Sequence, residues 1–134
     1  MSACSNSKFF GKWSNIDCRG DSVCRDLTIQ ASKNIGCNGF KSCQNLNILQ
    51  GTENVTCSGG DEDTCSGLNV NCTNNEKPCS FRCDGTKGCR NNKLNGTWKA
   101  IECKGISSCQ DLYVEECIES IKCEETSSCQ AGSN

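Results

Sequence analysis

Histidine is absent from the 134 residues, so mixed Cys/His zinc sites are excluded and only all-Cys sites would remain. No C-x-x-C pair occurs either, and that spacing marks zinc ribbons and thioredoxin-like redox sites. Leu, Ile, Val and Phe together supply 22 of the 134 residues, about 16%. A chain with less than about 20% of these residues normally lacks the apolar surface to offset its conformational entropy. Charge of one sign is lacking too: 14 basic residues face 16 acidic ones. The net charge of -2 and pI near 5.2 offer no basic patch for a phosphate backbone, so no nucleic acid is expected as partner. No apolar run approaches the roughly 20 residues that span a bilayer, so no membrane span is expected. The opening Met1-Ser2-Ala3-Cys4 has no hydrophobic region and does not read as a signal peptide. The chain is therefore read as a mature, excised or recombinant piece.

Cysteine is what the chain has in excess. Sixteen Cys, an even number, are spread along its whole length. With so little core, the natural reading is a set of cystines formed in an oxidising compartment, placing the protein outside the cell or on its surface. Cross-links would supply stability that a core of this size cannot.

Aligned on its paired Cys, the chain repeats. Cys18, Cys37, Cys57, Cys83, Cys103 and Cys123 each precede a second Cys, at Cys24, Cys43, Cys65, Cys89, Cys109 and Cys129. The spacing within a pair is C-x5-C except at Cys57/Cys65, which holds two more residues. Two residues before the first Cys stands Ile16, Ile35, Val55, Phe81, Ile101 or Ile121. Two residues after it stands Gly20, Gly39, Gly59, Gly85 or Gly105, with Glu125 in the last unit. Leu27/Ile29, Leu46/Ile48, Leu68/Val70 and Leu112/Val114 follow the second Cys. The unit is I-x-C-x-G-x-x-x-C-x-x-L-x-I, about 20 residues long.

In I-x-C and L-x-I alternate residues share a face, as in short strands with one side buried. The Gly serves a bend at positive φ. One unit cannot bury its apolar residues alone, whereas stacked units convert each column into a continuous thin core. The expected fold is all-β: a disulfide-stapled β-solenoid of about six coils, roughly 29 Å long at 4.8 Å per coil. A leucine-rich-repeat horseshoe is the rival, since C-x-x-L-x-I resembles L-x-x-L-x-L; no unit has room for its helix. Residues 1–14, with Phe9, Phe10 and Trp13, do not match the unit and read as a cap or linking segment. Residues 15–134 form one repeat domain with an insertion at 72–82. The stretch Arg90–Ala100 reads as a break in the L-x-I register, with Leu94 and Trp98 filling the space.

Two cystine schemes fit. C-x5-C pairs can close within each coil, or Cys of one column can pair between neighbouring coils. The first is preferred, because the Cys57/Cys65 loop gained residues while keeping both Cys. Cys72 and Cys79 are plausible local partners. Cys4 and Cys117 are left over, paired with each other or across subunits, and connectivity is not deducible from sequence.

Arg19-Gly20-Asp21 lies inside the Cys18–Cys24 loop and reads as a cyclised adhesion loop, although Gly20 already belongs to the repeat. Asn54, Asn71 and Asn95 begin N-x-T glycosylation acceptors; Asn54 and Asn71 flank inward-facing valines and are expected to face solvent. The acidic loop Gly59-Gly60-Asp61-Glu62-Asp63 lacks the spaced ligands of a calcium loop. An ice-binding solenoid would show a flat Thr array, and the outward positions Thr28, Asn47, Asn69 and Tyr113 do not make one. Catalysis without His falls to carboxylates, and Asp17, Asp26 and Asp111 form no evident pair. No enzyme activity and no cofactor are expected.

The units Cys37-Asn-Gly-Phe-Lys-Ser-Cys43-Gln-Asn-Leu-Asn-Ile48 and Cys103-Lys-Gly-Ile-Ser-Ser-Cys109-Gln-Asp-Leu-Tyr-Val114 resemble the cysteine-rich repeats of predicted surface proteins of protists. The resemblance covers roughly residues 15–130 and implies location and architecture only. The leading expectation is a rigid extracellular rod that self-associates end to end into a fibre, coat or appendage, with attached glycans. A receptor- or glycan-binding module is the alternative.

Overall fold

The computed structural model describes residues 8–50, 52–58, 64–72, 79–84, 88–105 and 108–124. Among them are eight strands and no helix. These are β1 (Lys8–Arg19), β2 (Thr28–Asn38), β3 (Asn47–Gln50), β4 (Asn54–Ser58), β5 (Asn69–Cys72), β6 (Cys79–Asp84), β7 (Lys93–Lys104) and β8 (Tyr113–Glu124). Every pairing is parallel and joins a strand to the equivalent strand one coil later. The chain is a β-solenoid.

Its register follows the repeat columns. One ladder stacks Phe9, Ile29, Ile48, Val70, Leu94 and Val114. The other stacks Ile16, Ile35, Val55, Phe81, Ile101 and Ile121, with Cys18, Cys37, Cys57, Cys83, Cys103 and Cys123 beside them. The alternation of buried and exposed residues along β4 and β6 is what a strand buried on one side requires. Six rungs enclose about five turns. The expected six coils counted rungs, whereas a turn is the interval between them.

The third wall is made of turns rather than strands, yet it is laddered as well. The N–H groups of Cys43, Cys65 and Cys89 donate to the carbonyls of Thr64, Gly88 and Ser108, each at 2.7 Å. Asp26, Asn45, Gly67 and Asn91 donate likewise to Gln44, Ser66, Arg90 and Gln110, each at 2.9 Å. Turn backbone that would otherwise need water is thus satisfied coil by coil. Stacking this close explains the Gly column: a Cβ on Gly39, whose φ is +129°, would lie 2.6 Å from the Gly20 carbonyl oxygen.

Two expectations are corrected here. Residues 8–14 do not stand outside the repeat: Lys8 and Phe9 pair with Thr28 and Ile29 as the first rung, with an irregularity between Phe9 and Lys12. Nor is the L-x-I column lost within Arg90–Ala100, because Leu94 pairs with both Val70 and Val114; the register shifts of this stretch come after it, between Leu94 and Thr97 and between Trp98 and Ala100. Asn92 occupies the Leu column and is buried. A polar residue is accommodated there because its Oδ1 accepts the Leu68 N–H at 2.9 Å. Trp98 lies fully buried at the corner between the ladders. It packs edge-on to Phe81 and its Nε1–H donates to the Asn95 carbonyl at 3.0 Å, so its one polar atom is satisfied.

Candidate functional site

The most regular chemical feature is the cystine column. Disulfides join Cys18–Cys24, Cys37–Cys43, Cys57–Cys65, Cys72–Cys79, Cys83–Cys89 and Cys103–Cys109, with Cα separations of 5.9–6.3 Å. All six close within a coil. Cys123 is also disulfide-bonded. Cys129 and Cys4 lie outside the described residues, as does the Cys117 side chain. Five of the six bonds tie the I-x-C strand to the following turn, and Cys72–Cys79 spans the insertion. The cystines stack so closely that sulfurs of Cys57, Cys65 and Cys89 lie within 4.8 Å of one another, as do those of Cys37, Cys43 and Cys65. Such a group would suit a soft metal as thiolates, but here each sulfur is already in a disulfide. The column acts as core: apolar, buried and covalently fixed.

The adhesion loop is bound into the stack. Gly20 N–H donates to the Asn38 carbonyl at 2.9 Å, and Ser22 N–H to the Phe40 carbonyl at 2.8 Å. Arg19 and Asp21 are exposed, but the Arg19 guanidinium turns back to Asp17, Nε to Oδ2 3.0 Å. The two side chains that an adhesion loop would project are therefore accessible, one of them already in an ion pair.

The three glycosylation acceptors sit in different surroundings. Asn54 is exposed at the end of a side-chain ladder: its Nδ2 donates to Asn34 Oδ1 at 2.8 Å, and Asn34 Nδ2 to Asn15 Oδ1 at 2.9 Å. Asn95 is half-buried, and its Nδ2 donates to both Asn69 Oδ1 and Asn71 Oδ1 at 3.0 Å. Asn71 is half-buried in the same cluster rather than turned to solvent. It neighbours Asn95 in the parallel ladder, and its Oδ1 is engaged there. The acidic loop 59–63 and the insertion tip 73–78 lie outside the described residues.

The scattered carboxylates find separate roles. Asp17 pairs with Arg19, and Asp26 Oδ1 accepts from Asn45 Nδ2 at 3.1 Å. Asp26 also belongs to a column that sequence reasoning overlooked. Two residues after the second Cys stand Asp26, Asn45, Gly67, Asn91 and Asp111, all at φ between +55° and +73°. Asn, Asp and Gly are the residues that tolerate the left-handed region, so their recurrence at one column was the available signal.

A second overlooked pattern runs along the outer face. Down the column between Ile and Cys, Arg82, Glu102 and Lys122 are consecutive; down the column after Cys, Asp84, Lys104 and Glu124 are. Signs alternate from coil to coil, and Arg82 approaches Glu102 at 3.9 Å. At the two ends, β1 pairs only with β2 and β8 only with β7 among the described residues.

Comparison with protein-family models, curated proteins and solved structures gives no match. No helix among the described residues is long and apolar enough to cross a membrane.

Proposed function

We propose that this chain is an extracellular structural element, a rigid disulfide-laddered rod that assembles end to end into a fibre, coat or appendage. One observation carries the reading: each stacked coil is closed by its own cystine, and the stack ends at both poles in a strand of 12 residues whose outer edge meets no other strand among the described residues. Open edges of that length are templates for another copy. Internal cystines suit a reducing-agent-free, protease-exposed setting, and the resemblance to surface proteins of protists points the same way. Size-exclusion chromatography and negative-stain microscopy over rising concentration test it. Filaments with the rod's width are expected; compact monomers at high concentration would sink the idea.

The second reading is adhesion through Arg19-Gly20-Asp21. It is favoured by the exposure of Arg19 and Asp21 on a loop closed by Cys18–Cys24. Its test is Asp21→Glu, which keeps the charge and lengthens the arm; unchanged cell attachment eliminates it.

A further inference from the structure

The alternation of charge over the last three rungs specifies how two copies would join. We infer that the β8 edge of one copy pairs in parallel with the β1 edge of the next, in the register that adds one more rung to both ladders. This rests on the end-to-end reading above and gives that contact its partner, orientation and register.

The register follows from columns already on the page. Within the chain Ile101 pairs with Ile121, Glu102 with Lys122 and Cys103 with Cys123. At the other pole Ile16 pairs with Ile35, Asp17 with Gly36 and Cys18 with Cys37. Continuing the same columns places Val114 on Phe9 of the next copy, Ile121 on its Ile16, and Cys123 on its Cys18. The charged residues then fall opposite partners of the other sign: Lys122 meets Asp17, and Glu124 meets Arg19. The internal series Arg82, Glu102, Lys122 continues to Asp17, and Asp84, Lys104, Glu124 continues to Arg19. No like charges meet in these columns. A slip of one residue would turn every side chain to the opposite face, so the pairing is specified by core and charge together.

The apolar surface agrees. Ile101, inside the stack, is 1% exposed, whereas Ile121, in the same column at the last rung, is 51% exposed. Trp13 at the first rung is 44% exposed. An added rung covers what the last rung leaves open. Because the two surfaces differ, the contact is head to tail, and repetition gives an open filament rather than a closed dimer.

Charge reversal tests this on the full oxidised chain, followed by sedimentation velocity and negative-stain microscopy. Asp17→Lys sets a lysine against Lys122, and Lys122→Asp sets an aspartate against Asp17. Each variant alone is expected to weaken association about tenfold or more, since like charges directly opposite destabilise a strand pair. Mixing the two variants restores association. At one joint the native Lys122 of the first variant meets the native Asp17 of the second; at the next joint the two introduced charges meet, again opposite in sign. The double variant D17K/K122D is restored by itself. Variants that polymerise like wild type, or a mixture that stays dispersed while wild type forms filaments, overturn this joint and leave the end-to-end reading standing. A wild-type chain that never associates overturns both.

Discussion

Gly96 lies so close to Cys72 that a Cβ added there would overlap the Cys72 backbone carbonyl. The two residues are neighbours across β5 and β7, and Gly96 holds a φ of +90°. Gly11 has nearly the same φ, +92°, yet nothing lies within 4 Å of its Cβ position. The pair separates two costs. Gly11→Ala should lose about 1 kcal/mol from backbone strain alone. Gly96→Ala should lose about 3 kcal/mol or more, because backbone must also move. Denaturant midpoints of the oxidised variants measure the difference; equal losses would refute the steric account.

The left-handed column predicts a different ranking at Asn91. This residue holds a φ of +56° and its N–H donates to the Gln110 carbonyl at 2.9 Å. Asn91→Gly should change stability by less than about 0.5 kcal/mol, while Asn91→Val should cost about 2 kcal/mol, since a β-branched residue is strained at positive φ. Thermal unfolding of both variants is the measurement. A tolerated Val would mean that this turn does not fix the coil.

Why much of this fold is readable in sequence, and some not, follows from the same columns. Ile35, Cys37, Leu46 and Ile48 repeat with one chemistry in one spacing, so a stack is their simplest explanation. Phe9 reads as part of a cap because no C-x-x-L precedes it, although it stands as far from Ile16 as Leu94 does from Ile101. Arg90–Ala100 reads as a break because Asn92 stands in the Leu column, and the Leu68 N–H it satisfies is invisible in a sequence. The Asp26–Asp111 column was in plain view but hidden by its mixed residue names. Which end charges face each other depends on which coils are terminal, and that needs the topology.

The half-buried Asn cluster yields a prediction with a pH sign. Asn95 Nδ2 donates to Asn69 and Asn71. Asn95→Asp keeps the shape but aims a carboxylate at two carbonyl oxygens, which should cost about 2 kcal/mol at neutral pH. Because the fold disfavours the charged form, the introduced group's pKa in the folded state exceeds its unfolded value. The deficit is therefore largest at neutral pH, shrinks as pH falls through the raised folded-state value, and is gone below about 4, where the group is protonated in both states. Urea titrations at the two pH values decide; a deficit independent of pH would show that the donor pair contributes little. The same geometry predicts where glycan goes. Asn54 should carry it and Asn95 should not, as peptide mapping of protein secreted from eukaryotic cells would reveal.

The cystine column predicts how far damage spreads. Cys37 and Cys43 are separated by six positions and both are buried. Closing so short a loop constrains the unfolded chain by only about 2 kcal/mol, and replacing both by Ala adds a packing loss of similar size. Each coil touches only its neighbours, so stability approximates a sum of coil terms and interface terms. The variant C37A/C43A should therefore loosen its own turn and the hydrogen bond from Cys43 N–H to Thr64. Amide exchange should rise in residues 38–46 and fade along the rod, leaving β7 and β8 protected. Reduction of all the cystines should instead unfold the chain, since too little apolar surface remains to hold it. If losing this one cystine melted β7 and β8 as well, the rod would be a single cooperative unit, and its strength would lie in the shared ladder rather than in separately closed coils.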